Sequence, residues 1–175
     1  MNTKLKKYWD ILSDINWCQT WYMYKRVRKP RSSSIRVLNR SNIKIASTAT
    51  IEMGERSFFE INRQDYIKTK ERSTLYLGDH AVLKLSGAFT MHGHSSIMVH
   101  DGAHLEIGSN TYLNGGCIDC SYGISIGDKC AIADGVRIMD NSWHTAHSLA
   151  GGGNKNRQQS MDRYWSNDFT RSKNR

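Results

Sequence analysis

Near the end of the chain, the segment from Asp140 to His147 sets two histidines three residues apart, with a carboxylate four residues before the first. An imidazole titrates near neutral pH and can take a proton from a hydroxyl and later return it. His144 and His147 are therefore candidates for general-base work. His144 is the preferred candidate because of its spacing from Asp140, whose carboxylate is placed to orient either the turn or the ring. His147 is the competitor for the same role.

A base needs rigid elements to hold it, and the preceding sequence supplies a regular one. From Ile107 the chain reads IGSNTY-LNGGCI and, after a spacer, IGDKCA-IADGVR-IMDNSW, so that Ile107, Leu113, Ile126, Ile132 and Ile138 each open a six-residue unit. This period fits neither a 3.6-residue helix nor simple strand alternation. It fits a solenoid in which each flat face takes six residues and three faces close one triangular coil. The opening aliphatic residue is expected to point inward, with the small residue four positions on (Thr111, Cys117, Cys130, Val136) beside it. Gly108, Asn114, Gly127, Asp128 and Asp134 suit the corners, since Gly tolerates positive φ and Asx side chains bond nearby backbone. Coils stacked ~4.8 Å apart would pair as parallel strands. One phase slip, between Cys117 and Ile126, is what a longer corner would produce. A β-sandwich whose strands mimic the beat is the competing architecture.

These residues closely resemble the hexapeptide-repeat acyltransferases, in the branch that includes maltose, galactoside and surface-polysaccharide O-acetyltransferases. The resemblance runs from about Asn42 to His147. In that branch the pattern I-G-D-x-x-x-I-A-x-x-V, here Ile126 to Val136, leads into an aspartate-bearing turn and a histidine, here Asp140 and His144. The resemblance implies an all-β, left-handed parallel β-helix with a short N-terminal helix. It further implies acetyl-CoA as donor substrate, a sugar or oligosaccharide acceptor in bacterial surface-polysaccharide biosynthesis, and a homotrimer with the donor groove between subunits. His144 becomes the base with Asp140 beside it, Asn114 and Trp143 face the acceptor, and a backbone N–H stabilises the thioester oxyanion. No metal and no nucleic acid are implied. Two other readings stay open: a non-catalytic scaffold, or a basic protein that binds a membrane surface or nucleic acid through its ends.

The 175 residues suit one domain with decorations: a basic amphipathic helix over 1–31, the solenoid over 32–150, and a tail over 151–175. Leu5, Tyr8, Trp9, Leu12, Ile15 and Trp17 or Cys18 recur at helical spacing, followed by Lys25, Arg26, Arg28, Lys29 and Arg31. Such a helix would cap the first, otherwise open, coil; lying on an anionic inner leaflet is its second use. The beat starts with Ile43, Ile45, Ala49 and Ile51, is interrupted by a charged loop over 57–74, resumes at Leu77, Leu83 and Phe89, and loosens through Val99, Ala103 and Leu105. His80, His92, His94, His100 and His104 alternate within strands and are expected on solvent faces rather than around a metal. Cys18, Cys117, Cys120 and Cys130 are expected to be reduced thiols, since a lone C-x2-C pair does not make a zinc site. With no run of ~18 apolar residues and no secretory leader pattern, a cytoplasmic protein is expected.

The tail carries six Lys and Arg against two Asp, a large part of the chain's net charge of +9, and contains no hexads. Back-translated and read one nucleotide further along, it yields EVEIKIGNKAWIGIGAMILQGVKIGD, a further run of hexads. Part of this is forced by the code: Met161 followed by Asp162 must give Trp, and Trp165 followed by Ser166 must give Gly. The expectation is a frameshift between His147 and Asn154 that replaced the coils lining the donor groove, leaving an irregular tail and impaired activity.

Overall fold

The computed structural model describes residues 12–64 and 72–141. The expectations for Leu5, Tyr8, Trp9, Trp143, His144, His147 and the tail 151–175 therefore lie outside the described residues. Fifteen short strands form three five-stranded sheets in which every pair is parallel. The first sheet holds β1 (Val27–Arg28), β4 (Thr50–Met53), β7 (Val82–Leu85), β10 (His104–Ile107) and β13 (Gly123–Ile126). The second holds β2 (Ser34–Val37), β5 (Phe58–Arg63), β8 (Phe89–His92), β11 (Thr111–Leu113) and β14 (Ala131–Ile132). The third holds β3 (Ser41–Ile45), β6 (Ser73–Leu77), β9 (Ser96–Val99), β12 (Cys117–Cys120) and β15 (Arg137–Met139). Consecutive strands visit the three sheets in turn, so the chain is a left-handed parallel β-helix.

Side chains alternate along each strand, which leaves room for two inward residues per face. These stack into columns: Ile51, Leu83 and Leu105 in the first sheet, Phe59 and Phe89 in the second, and Leu75, Ile97 and Ile118 in the third, all buried. Phe59 and Phe89 stack with ring centroids 5.7 Å apart. Of the residues that open the hexads, Ile107, Leu113 and Ile132 are buried, whereas Ile126 and Ile138 are half-buried against the same core, on the last described coil.

Two inward assignments change. Ile118 and Cys120, not Cys117, fill the third face, because Gly115 (φ 75°) and Gly116 add a residue to the corner and shift the alternation by one. Val136 is 41% exposed because it lies in the corner 133–136, which turns through Gly135 at φ 75°, rather than on the next face; Ile138, expected inward as an opener, pairs with Ile118 and faces the core. The region 57–74 is also not simply a loop. It contains β5, in which Phe59 and Ile61 are core residues while the outward Glu60, itself buried, meets Arg36 at 2.9 Å and Arg63 at 3.5 Å.

The N-terminal helix, α1, spans Trp17–Arg26 and is followed directly by β1. It begins where Asn16 accepts a hydrogen bond from the Gln19 amide, an N-cap that separates it from Ile15, which bridges to Leu38 instead. Helical spacing therefore does not run through Ile15 to Trp17. Thr20 and Met23 are its buried residues, and Trp17 and Cys18 are exposed. The inner face of α1 satisfies backbone groups that the first coil would otherwise leave unpaired. Val37 N–H donates to Thr20 Oγ1 (3.1 Å), its carbonyl accepts from Asn16 N–H (2.8 Å), and Arg26 donates to the carbonyls of Ala46 and Ser47. None of the described helices is long and apolar enough to cross a membrane.

Candidate functional site

Three corners run the length of the solenoid, and the one between the third and first sheets carries Asp140. Three corner aspartates, Asp101, Asp128 and Asp140, each accept from an N–H of the coil beneath. Asp101 takes the Asp79 amide at 3.0 Å, and Asp128 takes the Ser109 amide at 2.6 Å and its hydroxyl at 3.1 Å. The I-G-D motif is thereby explained, with Asp128 as the clamp. Its Gly127 stacks so closely on Gly108 that a Cβ on Gly108 would collide with the Gly127 carbonyl carbon and the Asp128 nitrogen.

Asp140 is the fullest case. Its oxygens accept from Ser121 N–H (2.7 Å), Tyr122 N–H (2.8 Å) and Gly123 N–H (2.6 Å), closing the tight turn between β12 and β13. Burial opposes its ionisation, yet the three amides hold its carboxyl below the ordinary aspartate range. The Cys120 thiol beneath is pushed up to about 11, by burial first and the Asp140 charge second. Both oxygens of Asp140 are thus committed to the turn, the first of its two expected roles. Asn114 is exposed at a different corner, between the second and third sheets, where its backbone N–H donates to the Ile132 carbonyl at 2.8 Å. Asn114 precedes β12 and Asp140 follows β15, so the two sit at opposite ends of the third-sheet strands. They are not brought together within one chain.

On the third sheet, next to the corner that carries Asp140, the fold assembles a cluster that the sequence did not reveal. His100 Nε2 lies 2.7 Å from Asp119 Oδ1, and Arg137 donates to Asp119 Oδ2 at 3.3 Å. Asp119 is 2% exposed. Burial raises its pKa, but the bond to and charge of His100, followed by those of Arg137, bring the carboxyl below the usual range. Tyr76 lies on the other side of His100, with ring centroids 6.3 Å apart. A histidine steered by a buried carboxylate is an arrangement able to accept a proton. His100 therefore departs from the expectation of a solvent-face histidine. His80, His94 and His104 are exposed as expected, and His80 (φ 55°) and His94 (φ 74°) occupy left-handed corner positions, where His is enriched among non-glycine residues. No three His, Cys, Asp or Glu side chains among the described residues converge as metal ligands.

Comparison with protein-family models, with curated proteins and with solved structures finds no match to the chain.

Proposed function

We propose that this solenoid is the scaffold of an O-acetyltransferase that moves an acetyl group from acetyl-CoA to a sugar hydroxyl during assembly of bacterial surface polysaccharide, acting as a cytoplasmic homotrimer. The observation that carries the reading is the anchored corner. The I-G-D-x-x-x-I-A-x-x-V pattern leads into a turn whose aspartate is locked to the coil beneath by three amides, and His144 follows four residues later. In this reading His144 takes the proton of the acceptor hydroxyl as its oxygen attacks the thioester carbonyl. The tetrahedral oxyanion is stabilised by a backbone N–H, the C–S bond breaks, and the imidazolium returns the proton to the departing sulfur. Asn114 and Trp143 contact the acceptor.

The test is release of the coenzyme A thiol with a panel of sugar acceptors, for the 175-residue chain and for the form translated in the shifted frame. In the second form His144→Ala should lower turnover about 10²–10⁴-fold, and His100→Ala less than threefold. Loss with His100→Ala but not His144→Ala would move the base to the His100–Asp119 pair. Failure of the shifted-frame form to bind acetyl-CoA by calorimetry would overturn the function.

A further inference from the structure

The face of α1 turned away from the solenoid is the most unusual surface of the described protein. Trp17 and Trp21 are each 62% exposed and Tyr24 is 41% exposed. At 100° per residue these three fall within about 60° of the helix circumference, forming one stripe. The buried residues Thr20 and Met23 point elsewhere; Tyr24 also meets the first coil through its hydroxyl, which accepts from Ile35 N–H at 3.3 Å, while its ring stays exposed. Large aromatic side chains left in water at consecutive turns are costly without a partner.

The charge around the stripe identifies the partner. From Ile15 to Thr50 the sequence contains eight Lys and Arg and no Asp or Glu. Arg26 is turned inward onto carbonyls of the first coil and Arg28 lies 3.7 Å from Glu52, but Lys25, Arg28 and Arg31 are all exposed. Two cations lie over the rings themselves, Lys25 Nζ 3.9 Å from the Trp21 centroid and Lys29 Nζ 4.5 Å from that of Tyr24. We propose that this outer face of α1 docks the protein onto an anionic lipid bilayer.

Trp and Tyr favour the glycerol level of a bilayer, where an apolar ring and a polar edge are both accommodated, and cations reach the phosphates just above. A single-stranded nucleic acid would need open ring faces for base stacking and a groove for its backbone. Here the ring faces of Trp21 and Tyr24 already carry ammonium groups, and a helix on the outside of a prism is convex. A planar anionic surface fits both features. The helix then does two jobs at once, its inner side closing the first coil and its outer side meeting the lipid.

The experiment is co-sedimentation of the full chain with vesicles of 30% phosphatidylglycerol in phosphatidylcholine, and with phosphatidylcholine alone, in 50 and 500 mM salt. Tryptophan emission and acrylamide quenching are read in parallel. Binding is expected only to the anionic vesicles and to weaken in high salt, with a blue shift and protection from quenching. Trp17→Ser with Trp21→Ser should abolish the shift and lower binding at least ~10-fold, while the far-UV CD spectrum is unchanged. Lys25→Glu with Arg31→Glu should lower binding by about 25-fold or more, taking roughly fivefold per cation removed. The proposal is overturned by any of three results: no binding to anionic vesicles; binding unchanged in the Trp17/Trp21 variant, which would place the contact elsewhere; or tighter binding to an oligothymidylate than to vesicles, with quenching of the same two tryptophans.

Discussion

Replacing Asp140 by Asn keeps the size of the side chain and removes the charge that three amides address. Hydrogen bonds to an ionised group contribute about 1.5–3 kcal/mol each when buried. Three would total roughly 4.5 kcal/mol at the lower figure, but Asp140 is only half-buried, and water can replace part of what is lost. The expected destabilisation at pH 7 is about 2 kcal/mol. The same arrangement fixes the pH dependence. The folded-state pKa lies below the unfolded aspartate value, near 3.9. The stabilisation is therefore complete above about pH 4 and is lost as pH falls through the folded value. Urea unfolding followed by far-UV CD, at pH 7 and again below pH 3, measures the difference between wild type and Asp140→Asn. Amide exchange at Ser121, Tyr122 and Gly123 localises it, and should accelerate at those residues before others. Equal stability at pH 7, or a difference that persists undiminished below pH 3, would refute the argument that these amides hold the carboxylate.

Asp119→Ala should cost about 2–3 kcal/mol. That is less than a fully buried ion pair, because Arg137 is half-exposed and can be hydrated; the contribution of Asp119 should likewise vanish as pH drops through its depressed pKa. Gly108→Ala should destabilise by several times more than Gly127→Ala in thermal melts, since a Cβ at Gly108 meets backbone and one at Gly127 meets open space. Iodoacetamide at pH 8 should alkylate exposed Cys18 in the native protein and leave Cys120 unmodified until unfolding, because Cys120 is buried with a thiol pKa of about 11. Modification of Cys120 at the rate of Cys18 in native protein, read by peptide mass, would contradict the burial.

The solenoid was legible because its core is a column of aliphatic residues whose beat survives in the sequence. Ile107, Leu113 and Ile132 point inward as their spacing predicted, and so do the earlier Leu77, Leu83 and Phe89. Cys117 and Val136 were misplaced because corner length is set by backbone conformation at Gly115 and Gly135, and a glycine in a sequence does not state which sign of φ it adopts. Trp17 was misplaced because a helical spacing cannot show that Asn16 starts the helix afresh. The His100–Asp119–Arg137 cluster was invisible for a related reason. These residues meet only because each lies about one coil from the next, and the coil length differs along the chain: Leu83 pairs with Leu105, but Leu105 pairs with Ile124. A period that drifts by a few residues leaves outward neighbours unassigned even when inward ones are clear. Asp140 stood out in the sequence by its spacing from His144, while its bonds to the turn below could come only from coordinates.

The variable corners also make the solenoid a modular support. Strands β5 and β6 are joined by nine residues, whereas β7 and β8 are joined by three, yet the parallel register of Leu75 with Ile97 on one side and Ile43 on the other is undisturbed. The difference in connection length does not propagate into the third sheet; beside it, β5 shifts register against β8 only locally, between Ile61 and Arg63. A foreign peptide spliced into the connection between β5 and β6 should thus leave the register of β3, β6 and β9 unchanged. For the same reason, lineages of such proteins can gain or lose corner segments one at a time, changing what the surface presents while inheriting the same interior.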